Sequence, residues 1–195
     1  MQNTFMMDSR IETSEFILRE PTPADASLIF HSYAQDHDVT KYMTWQPHKD
    51  ISETLNFLQK CIILWHENKE FNMVVMQKKT QQIVGMIRIA PQGNTASIGY
   101  VLAKRYWNKG YATHLLHELI AYLFQKTDLT FIQSFCDIDN IASARVMEKA
   151  GMKKKGILPE YILHPNRSPK PVDVFLYEAK RKDFAYEVKR ITHHP

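Results

Sequence analysis

Apolar residues along the chain follow two repeats, and the change from one to the other outlines the elements. After Gly110, the residues Ala112, Leu115, Leu116, Leu119, Ile120, Leu123 and Phe124 recur at three- and four-residue intervals. One continuous stripe of a helix therefore faces a core. His114, His117, Glu118 and Gln125 fall off that stripe and read as surface positions. Shorter apolar runs read as strands. Phe16 to Leu18 is one, closed by Arg19. Phe71 to Gln77 and Ile83 to Ile89 are two more, joined by the polar turn Lys78 to Gln82. Pro91 to Asn94 makes the next turn, into a strand over Ala96 to Leu102, and these three strands form an antiparallel meander. Phe131 to Cys136 is another buried strand. The long helix before it acts as a crossover, which predicts that this strand runs parallel to the one preceding the helix.

Thr22-Pro23-Ala24-Asp25 is a helix start, with a capping threonine, a proline in the first turn and an acid three residues after the cap. Ala26, Ile29, Phe30 and Tyr33 form its stripe. A polar segment with Tyr42, Trp45 and Pro47 leads to a second helix near Ser52, with Leu55, Leu58, Ile62 and Trp65 on one face. A short helix over Asn140 to Ala150 turns Ile141, Ala144, Met147 and Ala150 inward and stops at Gly151. Strands near 153–163 and 172–179, separated by the proline-rich loop His164 to Pro171, complete a mixed α/β sheet of about seven strands with helices on its faces. Residues 1–14 read as an extension, 15–185 as one domain and 186–195 as a polar tail.

Composition narrows the class. With 195 residues and 44% apolar content, the chain suits one domain with a full-sized core. The longest clean apolar run, Cys61 to Trp65, is far too short for a membrane span. The N-terminus lacks the basic-then-apolar pattern of a secretory signal. Cys61 and Cys136 each lie in an apolar segment and read as reduced core cysteines of a cytoplasmic protein. The net charge of +4 suits a phosphorylated ligand. No zinc spacing, Arg-rich tract or interleaved aromatic motif points to nucleic acid. His114 and His117 have no third ligand in view, so no metal site is expected.

The candidate chemistry sits at the entry to the central helix. A helix start carries unpaired N–H groups and a partial positive charge. A glycine turn lets an anion approach the backbone, and Lys104, Arg105 and Lys109 add full charges. Strand, basic turn and helix together describe an anion cradle; a surface turn with solvated lysines has the same composition.

This order of elements resembles the GNAT superfamily of acetyl-coenzyme A dependent N-acetyltransferases, over roughly Phe16 to Glu178. The family's turn pattern is Gln or Arg, two residues, Gly, one residue, then Gly or Ala. It stands here as Trp107-Asn108-Lys109-Gly110-Tyr111-Ala112, with Trp107 in place of the Gln or Arg. A second signature is an Asn opening the next helix, a small residue three later and a Glu-Lys-x-Gly end. Asn140, Ser143, Glu148, Lys149 and Gly151 reproduce it. Glu15 to Arg19, Asp25-Ala26, Lys41 to Trp45, Ile98-Gly99-Tyr100, Lys109 to Thr113, and Asp173 with Tyr177 look like the ribosomal-protein N-terminal (RimJ/RimL-type) branch.

The resemblance implies acetyl-CoA as cofactor, with its pyrophosphate on the N–H groups of Asn108 to Thr113 and Lys104, Arg105 or Lys109 near the phosphates. It places the pantetheine arm between splayed strands ending at Leu102 and Cys136, along Tyr100, Val101 and Leu102. An N–H near Leu102 would hold the thioester carbonyl. Asn140 would hydrogen-bond the arm, or serve as a plain helix cap, or both. Many members protonate the departing thiolate with a tyrosine seven residues after this Asn. Here that residue is Met147, so Ser143 is the nearest substitute, as in the RimJ/RimL-type branch, or else a small packing residue. Glu160, Asp137, Asp139 and His164 are candidates for general base by position only, with Glu160 expected nearest the substrate mouth. Tyr42, Trp45 and Trp65 are candidates for the acceptor side, or for core.

An α-amine titrates near about 8 and a lysine near about 10.4, so lysine costs about 3 kcal/mol more to deprotonate. A site without a strong base suits a protein or peptide α-amine. A small amine such as a polyamine, aminoglycoside or amino-acid analogue is the alternative acceptor, and a non-catalytic CoA-binding module the alternative class. Such proteins occur as monomers and homodimers.

Overall fold

A computed structural model describes residues 5–184. Eight strands form one sheet in the order β1-β2-β3-β4-β5-β6-β8-β7. They are β1 (Arg10–Glu12), β2 (Phe16–Arg19), β3 (Phe71–Gln77), β4 (Ile83–Gln92), β5 (Thr95–Leu102), β6 (Phe131–Asp137), β7 (Lys153–Ile162) and β8 (Val172–Lys180). The expected strands are all present; the eighth is β1. It lies in the stretch read as an extension and pairs antiparallel with β2. Three residues are too few to show a period of two, yet Ile11 is buried in the core. The β4–β5 turn is also tighter than expected. Pro91 and Gln92 pair with Ala96 and Thr95, which leaves only residues 93–94 outside the ladder.

The helical entry after β2 is broken into parts. A 3-10 turn (Pro23–Asp25) runs into α1 (Ala26–Ile29) and then a π turn (Phe30–Ala34). The expected stripe is nonetheless buried. Asp25 accepts from the Thr22 N–H at 2.7 Å and from the Arg19 guanidinium at 2.8 and 2.6 Å, tying the turn to β2. The polar segment that follows contains a one-turn helix, α2 (His37–Thr40), capped by Asp36. Helix α3 (Ile51–His66), capped by Asp50, buries Thr54, Leu58, Cys61 and Trp65. Its stripe is thus rotated from the expected one, with Leu55 and Ile62 only half-buried. Trp65 packs edge-on against Phe71 in the core, 5.1 Å between centroids, and not in any site.

Helix α4 (Tyr111–Lys126) buries the predicted stripe from Leu115 to Phe124. His117, read as a surface residue, is half-buried, packs on Phe184 and shares a hydrogen bond with the Ala150 carbonyl. Helix α5 (Ile141–Lys149) buries Ala144 and Met147, while Ile141, expected inward, is 50% exposed. Among the described residues no helix is long and apolar enough to cross a membrane.

The feature that positions the site is the failure of β5 and β6 to stay paired. They run parallel, as predicted, through Thr95↔Phe131, Ala96↔Ile132 and Ser97↔Gln133, and no further. At the next position the Ser134 hydroxyl donates to the Ile98 carbonyl at 2.8 Å. Beyond it β6 follows β8 along its whole length while β5 follows β4. The sheet therefore opens between residues 98–102 and 135–137.

Candidate active site

Two cavities flank this opening, of about 880 Å³ and about 650 Å³. They share Tyr42, Met43, Tyr100, Val101, Asn140 and Ser143 in their linings. The residues at the splay thus form the passage from one to the other.

The smaller cavity is lined by Tyr100, Val101 and Leu102 of β5, by Lys104, Trp107, Asn108, Gly110, Tyr111, Ala112 and Thr113, and by Asn140 and Ser143. Asn108 (φ 57°) and Gly110 (φ 78°) both take the left-handed conformation and turn the chain sharply into α4. Successive N–H groups in such a turn converge on one point. Those of residues 111–113 have no partner within the helix, because Gly110 caps it with no side chain. A Cβ built on Gly110 meets nothing within 4 Å, so the cradle is open. Lys41, Lys104, Arg145 and Lys149 line it against a single acid, Asp38, which pairs with Lys104. In the sequence Lys41 and Lys149 stood only as parts of family signatures, with no phosphate role, and Arg145 was not named; the four-residue spacing of Arg145 and Lys149 on one helix was the available signal. Arg105 and Lys109, expected near the phosphates, lie over the Tyr106 ring and do not line the cavity. Trp107 stands where a Gln or Arg is usual; its indole donates to the Leu102 carbonyl at 2.8 Å and braces the end of β5.

Asn140 caps α5, its oxygen accepting from the Ser143 N–H at 3.1 Å. This occupies the oxygen only and leaves the amide's two donors for another partner. The Ser143 hydroxyl sits 2.9 Å from the Tyr100 hydroxyl, on the far side of the splay. Burial raises the Tyr100 phenol well above its ordinary value, and its bond to Ser143 offsets only part of this. Cys136 lines the larger cavity beside them. Burial, then the charge of Asp137, pushes its thiol up to about 12. It is a neutral thiol and not a nucleophile.

The larger cavity is aromatic, with Tyr33, Tyr42, Trp45, Phe57, Phe135 and Tyr161 among its walls. Tyr42, which lines the smaller cavity as well, and Trp45, both candidates for the acceptor side, line this cavity. Its two carboxylates are both neutralised. Glu70 pairs with Arg88 at 2.6 Å and accepts from the Asn72 amide at 2.8 Å. Asp137 pairs with Arg167 at 2.5 Å, meets His164 Nδ1 at 3.1 Å and accepts from the Asp139 N–H at 2.8 Å. Burial opposes the Asp137 charge, but the Asp139 N–H, Arg167 and His164 outweigh it and hold the carboxyl below its usual range. Asp139 is itself bound to Arg167 at 2.6 Å.

Glu160 lines neither cavity. It is exposed, at φ 45° in an irregular stretch of β7, with its N–H on Asp173. It was a candidate by position only, and the irregular register of β7 carries it outside both cavities. His48 is the wall residue that sequence reasoning missed. Its Nδ1 lies 2.7 Å from the Thr54 hydroxyl, its ring packs on Trp45, and burial lowers its pKa, so it is neutral near pH 7. Nothing periodic surrounds it to give it away. Among the described residues no cluster suits a metal ion.

A sheet splayed beside a helix-entry anion cradle agrees with the family model that matches residues 15–153, an acetyltransferase (GNAT) domain. The chain belongs to the GNAT acetyltransferase family. Relatives named as N-acetyltransferases match over most of their length. Uncharacterized N-acetyltransferase YnaD of Bacillus subtilis is 38% identical over 157 residues, 78% of this chain and 87% of YnaD. YoaA of the same organism is 28% identical over 168 residues, 85% of this chain and 94% of YoaA. The crystal structure of a GNAT-family acetyltransferase from Bacillus anthracis is 29% identical, covers 89% of this chain and 99% of its own, and superposes with a TM-score of 0.77. This GNAT domain is an N-acetyltransferase that uses acetyl-CoA. The basic cradle and the splay fit that group.

Proposed function

We propose that this N-acetyltransferase acetylates a single primary α-amine, at a protein or peptide N-terminus, by direct attack on the thioester of acetyl-CoA. Solved structures of this fold include enzymes named for a ribosomal-protein S5 alanine (Vibrio fischeri) and for spermidine (Vibrio cholerae). At 22% and 19% identity they share only the fold, which does not choose between those acceptors. The observation that carries the choice is the charge state of the larger cavity. Its carboxylates, Glu70 and Asp137, are both held in ion pairs. A polyamine entering there would bury further ammonium groups with no free anion to meet them, a cost of several kcal/mol each. An α-amine needs no such partner, because near neutral pH part of it is already uncharged, its pKa being about 8. The neutral Cys136 thiol argues against a transfer through cysteine.

In this reading the smaller cavity holds the coenzyme. The N–H groups of 108–113 take the pyrophosphate, with Lys104, Lys41, Arg145 and Lys149 around it. Tyr100, Val101, Leu102 and Asn140 orient the arm at the splay, Ser143 gives a proton to the departing sulfur, and Tyr42 and Trp45 wall the acceptor. A thermal melt with acetyl-CoA, followed by thiol release against N-terminal peptides and polyamines, tests it. At 100 times its dissociation constant, acetyl-CoA should add about 2.7 kcal/mol. Thiol release with peptides and little with spermidine is the expected result. Faster turnover of polyamines would overturn the acceptor assignment.

A further inference from the structure

We propose that the Tyr100 and Ser143 hydroxyls form a two-step proton bridge that carries the amine's proton from the acceptor nitrogen to the leaving sulfur. The inference rests on the acetyltransferase reading above and supplies a proton path where Met147 stands in place of the usual tyrosine acid.

Both side chains line both cavities, and their hydroxyls are 2.9 Å apart across the splay. The other hydroxyl shared by the two linings, that of Tyr42, is turned onto the Asp139 carbonyl at 3.3 Å. The Tyr100–Ser143 pair is thus the hydrogen-bonded route between the compartments. Acetyl transfer forms a C–N bond and breaks a C–S bond, so one proton must leave nitrogen and one must reach sulfur. Once bonded to the carbonyl carbon the nitrogen is far more acidic than a free ammonium, while the departing alkyl thiolate binds a proton with a pKa near about 8.5. The transfer is downhill and needs a path more than a strong base. Tyr100 accepts the nitrogen's proton as its own passes to Ser143, and the Ser143 proton passes to sulfur. Both hydroxyls end neutral, and the proton count closes without an external acid or base. The raised Tyr100 phenol suits this role, since it stays protonated and gives up its proton only as it receives another. Met147, at the position of the family's usual tyrosine, is fully buried in the core and takes no part.

The test compares Tyr100→Phe, Ser143→Ala and the double variant in the full chain. Phenylalanine keeps the ring, and melting with and without acetyl-CoA checks folding and coenzyme binding. Each single change should lower kcat about 100-fold, the range of a general acid–base contribution, with KM for acetyl-CoA within about threefold. The double variant should be no slower than the worse single one, because the two act as a unit. In mixed heavy water the wild type should show a curved proton inventory on kcat, and Tyr100→Phe a linear one. Tyr100→Phe within about threefold of wild-type kcat, or losses that multiply, would overturn the bridge. Wild-type protein that binds acetyl-CoA but releases no thiol with any amine would instead overturn the underlying acetyltransfer reading. Turnover with unimpaired variants removes only the bridge.

Discussion

The two cavities are built by different means. The smaller cavity, which we assign to the coenzyme, draws half of its lining from one continuous stretch, β5, its turn and the start of α4, and presents backbone N–H groups and exposed cations. The larger cavity, which we assign to the acceptor, gathers walls from β3 to β6, from the loop around residues 42–48, from the end of β7 and from α3. Its acids are paired, Asp137 buried and Glu70 half-buried. A conserved ligand can be met by backbone geometry. A selective wall needs side chains from many places, and those must be held by one another. Here Asn166 donates to the Thr40 and Trp45 carbonyls at 2.7 and 2.8 Å, and Arg167 joins Asp137 to Asp139 while facing the Tyr42 ring.

The largest expected effect removes both cavities together. A Cβ on Gly85 would lie 2.0 Å from the Val101 carbonyl oxygen, against backbone that cannot move aside. Gly85→Ala should cost about 3 kcal/mol, pushing β4 from β5 where Leu102 ends the strand, and should lower both the melting temperature and acetyl-CoA binding. Arg167→Ala comes next and separates the sides. It leaves the Asp137 carboxylate buried with one partner fewer, a loss of about 2–3 kcal/mol given that Arg167 is partly exposed. Acceptor KM should rise while the acetyl-CoA dissociation constant holds, as calorimetry would show.

The converse change is Arg145→Glu with Lys149→Glu. It should weaken acetyl-CoA about tenfold at low salt, with the difference shrinking in high salt and acceptor KM intact. Acid provides a fourth probe. The folded Asp137 pKa lies below its unfolded value of about 3.9, so its stabilisation is complete above that value and is lost as pH falls through the lower folded pKa. Melting followed from pH 5 to 2 should show the loss beginning at about pH 4, and a smaller acid-linked loss in Arg167→Ala, where the folded pKa rises toward the unfolded one. The smallest effect is Trp107→Phe, which removes the indole bond to Leu102 and should cost about 1 kcal/mol.

These differences parallel what could be read from the chain. The helix stripe, the crossover, the meander and the cradle were legible because each depends on neighbours in sequence. Strand β1 was not, being shorter than its own signal. Glu160, placed by position alone, lies outside both cavities on an irregular β7, and Arg105 and Lys109 lie over Tyr106, because a turn's side chains point by its dihedrals and not by their proximity to a glycine. His48 and the pairing of Glu70 with Arg88 have no local pattern at all.

By itself, then, the sequence determined the elements, the parallel crossover and a backbone anion cradle, since periodicity, capping and glycine dihedrals act within a few residues. Only the tertiary structure decided where β5 and β6 part, which carboxylates are neutralised and that Tyr100 meets Ser143. Those depend on contacts between residues 18 to 43 positions apart, and burial sets their charge states.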